Sequence, residues 1–154
     1  MEENEFRKTY EEIRELPCAF EKAVLNRQCD CSKVERFNLG EREGVTCSAW
    51  TAQQNCATLL GLLRQSARFA LHATALPGPL PHARELKVQV GGLRGLQALV
   101  DPSRSTGTEV RDVHALVTAL QARFGTLDHI PFETVMRAVA AFEVRRRNPR
   151  RPGG

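Results

Sequence analysis

No stretch of this chain is apolar for long enough to span a membrane, and the acidic start, Met1-Glu-Glu-Asn-Glu-Phe6, has no apolar run behind it. Neither a secretory leader nor a membrane span is expected, and the reading is a cytoplasmic protein. Cysteine is missing from the last 98 residues. All five cysteines lie between residues 18 and 56, and an odd count in a reducing compartment speaks against a framework of disulfides. Also missing is any serine, histidine and acid arrangement of the hydrolase type, and any phosphate or dinucleotide fingerprint. A carrier or an accessory subunit therefore suits the chain better than a catalyst.

At 154 residues the chain has the size of one ordinary domain, long enough to bury about two-thirds of its unfolded surface without staples. A metal site would add to a core rather than replace one. The net charge of +4 is unevenly placed: residues 1–16 carry six acids against three bases, while Arg145, Arg146, Arg147, Arg150 and Arg151 face only Glu143 at the other end. The closing segment, 148–154, has no apolar residue to bury and reads as a disordered basic tail. Contact with nucleic acid is the secondary reading for it, since no aromatic residue is interleaved with the arginines for stacking.

Helical spacing dominates. Phe6, Tyr10, Ile13 and Leu16 make one apolar stripe, and Pro17 opens a second helix expected over 17–28. Residues 32–47 lose the period and read as loop. Helix resumes at 48–51, with Thr51 and Gln54 or Ser48 as caps, and its leucine-rich run to Leu71 marks it as the central helix. The prolines of Leu76-Pro-Gly-Pro-Leu-Pro81 divide a cysteine-bearing half, 1–75, from a cysteine-free half, 84–147, through a connector at 76–83. Leu86-x-Val88-x-Val90 alternates as a short strand would, and a lone strand would need a partner, such as a second copy in a homodimer. Gly91-Gly-Leu-Arg-Gly95 then reads as a tight turn or, less simply, a phosphate cradle. Val110 to Phe124 and Phe132 to Phe142 trace two seams joined as a helical hairpin. The fold class expected is mainly α: five or six helices in a small bundle, with a cysteine-lined site.

The cysteines run Cys18, ten residues, Cys29-x-Cys31, fifteen residues, Cys47, eight residues, Cys56. Thiolates gathered in this way suit zinc or an iron–sulfur cluster, for which four are a complete set. A continuous helix over 17–28 would hold Cys18 about 16 Å from Cys29. On that premise Cys18 is the outsider, and Cys29, Cys31, Cys47 and Cys56 form the ligand set; an interruption near Arg27 would let Cys18 take the place of Cys29 or Cys31. Phe37, Leu39, Val45 and Trp50 are expected to shield the sulfurs, with Lys33, Arg36 and Arg42 offsetting their charge. The spacing fits neither paired zinc knuckles nor either common ferredoxin pattern. The functional expectation is an iron–sulfur protein in electron transfer, working with a redox partner protein or inside a larger enzyme complex. A zinc-scaffolded regulatory module and a thiol redox sensor are the alternatives. His114 reads as a helix-edge histidine, and His72, His82 and His129 have no ligand spacing.

Overall fold

The computed structural model describes residues 16–70, 81–104 and 107–144. About 60% of these residues are helical, and a single two-stranded sheet accompanies five α-helices. In chain order the elements are α1 (Glu21–Leu25), β1 (Val34–Leu39), β2 (Arg42–Cys47), α2 (Trp50–Ala70), α3 (His82–Val100), α4 (Val113–Phe124), a 3₁₀ turn at Leu127–His129 and α5 (Phe132–Ala141). The stripe before Leu16, most of the proline-rich connector and the basic tail lie outside the described residues. Among the described residues no helix is long and apolar enough to cross a membrane.

The helix expected over 17–28 is a short one, for a reason that lies in its C-terminus. Arg27 sits at φ 63, in the left-handed region, with the Gln28 amide donating to the Ala23 carbonyl and the Arg27 amide to Val24, each at 3.0 Å. These are the two bonds of a Schellman stop, here with arginine where glycine is usual. The chain therefore reverses after Asn26, and Cys29 turns back instead of continuing along a helix axis. Residues 32–47 are not a loop. Val34–Leu39 pairs antiparallel with Arg42–Cys47 through a two-residue turn, and Gly40 at φ 63 occupies the first turn position, where II′ turns place glycine. Only Val34, Phe37, Leu39 and the Glu43–Cys47 stretch of β2 are covered, so the apolar alternation is faint.

The segment Leu86–Val90 is not a strand. It lies inside α3, which packs against α1, α2, α4 and α5 and is buried on every side. Apolar alternation arises there because Leu86, Val88 and Val90 are buried while the residues between them are also covered. With the strand goes its need for a partner strand. Gly91-Gly-Leu-Arg-Gly95 is helix interior, with no turn and no phosphate cradle. A Cβ on Gly91 would stand 2.7 Å from Val139 Cα, and one on Gly95 2.9 Å from Ala138 Cβ, so the glycines let α5 lie directly against α3. α4 and α5 do not form the expected hairpin with each other; both lie against α3. Thus α3 is the central helix rather than α2, which buries one face through Leu59, Leu60, Leu63 and Ala67 and leaves Phe69 exposed. One hydrophobic cluster joins residues from both sides of the connector.

Polar side chains on α3 complete the core. Glu85, 0% exposed, accepts from Arg64 Nε of α2 at 2.7 Å and from Gln89 Nε2 at 2.9 Å, while Gln89 Oε1 accepts the Ala23 amide of α1 at 3.1 Å. Burial of such groups is tolerable only because each is satisfied.

Two substitutions test these close approaches. Gly91→Ala is expected to cost about 1–3 kcal/mol in denaturant unfolding, because the obstacle is the α5 backbone. Gly61→Ala, where nothing lies within 4 Å, should instead add about 0.5–1 kcal/mol through helix propensity. At the α1 stop, Arg27→Val should lower stability by about 1–2 kcal/mol, since a β-branched residue resists the left-handed region, whereas Arg27→Gly should not lower it.

Candidate thiol site

The five cysteines come from four places in the fold, and backbone pairing brings those places together. Leu16 and Pro17 run beside β2: the Cys47 amide donates to the Leu16 carbonyl at 2.7 Å, and Pro17 bridges Thr46. Cys18 follows immediately, and its carbonyl accepts the Glu21 amide as α1 begins. From α2, Gln53 Nε2 donates to the Pro17 carbonyl at 3.2 Å, and Cys18 lines a cleft of about 400 Å³ with Gln53, Ala57 and Leu60. Cys56 lies three residues after Gln53, one turn along the same helix face.

The Cys29-x-Cys31 strap is held by the start of α4. Cys29 forms a parallel bridge with Val110, the Asp30 amide donates to the Val110 carbonyl at 3.2 Å, and the Val113 amide donates to the Asp30 carbonyl at 3.0 Å. Asp112, the N-cap of α4, accepts from the amides of Ser32 at 2.9 Å and His114 at 3.1 Å. Burial opposes ionisation of Asp112. The Ser32 amide and hydroxyl, with the amides of Ala115 and His114, outweigh it and hold the carboxyl below the usual range. On the other side of the strap, the Cys31 carbonyl accepts the Val34 amide as β1 begins, and the Ser48 amide closes onto the Lys33 carbonyl at 2.7 Å.

All five thiols are free, and their ionisation records how near they are. Burial pushes Cys18, Cys29 and Cys56 up to about 12 and raises Cys31. Neighbouring thiols add to this: Cys31 and Cys47 act on Cys18; Cys18 and Cys31 on Cys29; Cys47 on Cys31; and Cys31, Cys18 and Cys47 on Cys56. Against that, the Phe20 amide hydrogen-bonds Cys18, and the amides of Lys33 and His114 hydrogen-bond Cys31. Cys47 Sγ donates to the Ala49 carbonyl at 3.3 Å. Cys18, Cys29, Cys31 and Cys56 are thereby held protonated. Among the described residues no group of three or more His, Cys, Asp or Glu side chains is placed to hold a metal ion as it stands.

The surroundings differ from the expectation. The 17–28 helix that set Cys18 apart does not form, and Cys18 stands among the other thiols. Trp50 is 65% exposed and does not cover them, and Val45 is in the core, with Phe37 and Leu39 half-buried. Arg36 is engaged by Asp30 and Glu43 at the surface. The charges that reach the thiols are acidic, from Glu21, Asp30, Glu109 and Asp112. The amides of Phe20, Lys33 and His114 leave no mark in the sequence as site groups, whereas Asp112, a cap residue ahead of an apolar seam, leaves one. His82 contacts Lys22 Nζ through Nδ1 at 3.0 Å, and His129 ends the 3₁₀ turn. A separate cleft of about 1190 Å³ between the end of α2 and the start of α5 has no cysteine or histidine among the described residues of its wall. The chain matches no family model, no curated protein and no solved structure.

Because Cys18, Cys29 and Cys56 titrate above the ordinary thiol value in the folded protein, they contribute stability that is fully present below about pH 9 and lost as pH rises toward about 12. Metal-free protein should accordingly show a falling denaturant midpoint across that window. A Cys18→Ala, Cys29→Ala, Cys56→Ala protein should show a much flatter curve.

Proposed function

We propose that the thiol site holds a thiolate-ligated metal centre, in the first instance an iron–sulfur cluster, through which the chain passes single electrons to a redox partner or serves as an accessory subunit of a larger redox enzyme. The observation that carries this reading is the gathering of free thiols from four parts of the fold, Cys18, Cys31, Cys47 and Cys56, with none joined by a disulfide. Soft sulfur donors in a group suit iron–sulfur clusters and zinc. Amides directed at Cys18 and Cys31 suit sulfur that carries negative charge, as ligand sulfur does. Acidic neighbours make uncompensated thiolates costly, so a cation is what would let the protons leave. Ligation would require the side chains to turn toward one centre while the backbone pairing keeps its place.

Thiol-based peroxide sensing fits less well, because reactive cysteines have depressed rather than raised pKa values. Structural zinc keeps support from one feature: the thiol-bearing segments tie the hairpin to α1 and α2, and closed sites that join small elements are where structural zinc works. Nucleic-acid contact by the arginine tail concerns residues outside the described set.

Protein purified without oxygen is expected to be brown and to contain iron and acid-labile sulfide. A colourless preparation with stoichiometric zinc would transfer the conclusion to the scaffold reading. A metal-free, folded protein that takes up neither on reconstitution ends both.

A further inference from the structure

We infer that the metal ligands are Cys18, Cys31, Cys47 and Cys56, and that Cys29 is a structural cysteine outside the ligand set; this rests on the metal-binding reading above. It replaces the set that sequence spacing favours, in which Cys29 ligates and Cys18 does not.

Backbone geometry makes the selection. Pro17 is the junction: it bridges Thr46, the residue before Cys47, and its carbonyl accepts from Gln53, one turn before Cys56. Cys18 is thus placed next to both β2 and the Cys56 face of α2. Cys31 reaches the same place from the open end of the hairpin, where Val34 pairs with Cys47 and Ser48 closes onto Lys33. Four ligand-bearing backbones therefore surround one spot at the hairpin mouth, each fixed by hydrogen bonds that do not involve sulfur. All four cysteines are half-buried, and Cys18, Cys31 and Cys56 pack against the core.

Cys29 is placed differently. Its backbone pairs with Val110, on the α4 side of the strap, and its side chain belongs to the hydrophobic core at 4% exposure. Asp30 is pinned between them, its amide donating to Val110 and its carbonyl accepting from Val113, so Cys29 stays on the core side with Val110 while Cys31, whose carbonyl takes the Val34 amide, enters the hairpin. Its role is that of a small apolar side chain.

Cobalt(II) and cadmium(II) added to the whole chain test this without assuming which metal is native. Cys18→Ser, Cys31→Ser, Cys47→Ser and Cys56→Ser should each lose thiolate-to-cobalt absorption. Cys29→Ser should keep its full intensity, with circular dichroism confirming that every variant scored is folded. In case a ligand variant does not fold, cadmium-loaded wild type gives the same answer directly: couplings from the metal nucleus should reach the β-protons of Cys18, Cys31, Cys47 and Cys56. Coupling to Cys29, or retained absorption in Cys18→Ser, overturns the quartet while leaving the metal reading intact. Wild-type protein that takes up neither ion overturns the metal reading and the quartet with it.

Discussion

Burial of α3 on every side obliges its polar side chains to find partners inside the protein, and the partners they find are the segments that carry the site. Glu85 takes Arg64 of α2, Gln89 takes the α1 amide of Ala23, and Arg94 reaches Gln28 at 2.9 Å just ahead of the cysteine strap. Gln97 donates to the Thr108 carbonyl at 3.1 Å, steadying the segment whose Val110 pairs with Cys29. A buried polar group without a partner costs roughly 1–3 kcal/mol, which enforces the Glu85 and Gln89 clips; Arg94 makes its clip through Nη2 alone and leaves Nε without a hydrogen bond among the described residues. The helix without cysteine thereby positions the chain that has them.

Legibility in the sequence followed how one-sided each element is. The α4 and α5 seams are buried on one face only, against α3 and α2, so Val113, Val117 and Leu120, then Val135, Met136 and Val139, stand at helical spacing, and the stop at Gly125 is plain. α3 defeats that reasoning because a helix covered all round keeps no polar stripe, and Leu86, Val88 and Val90 then imitate a strand. The β1–β2 hairpin fails for the opposite reason: with half of Val34–Leu39 exposed and none of it fully buried, alternation is weak and the glycines suggest loop.

The largest error concerned the segment after Pro17. A helical pattern running to Gln28 looks unbroken because its terminator is Arg27, a residue that does not announce a left-handed turn. What holds it there is tertiary: Phe20, Ala23 and Val24 are buried, and the Ala23 amide is taken by Gln89. Five thiols in one region are legible as a chemical grouping; which of them stand beside one another depends on that single reversal of the chain.

The one tryptophan of the chain stands three residues after Cys47 and six before Cys56, with its ring largely in water. An indole so exposed emits strongly, and it lies within energy-transfer range of whatever the neighbouring sulfurs hold. A light-absorbing centre would dim Trp50, whereas a closed-shell ion would leave it bright, so the protein contains its own optical gauge of the thiol pocket.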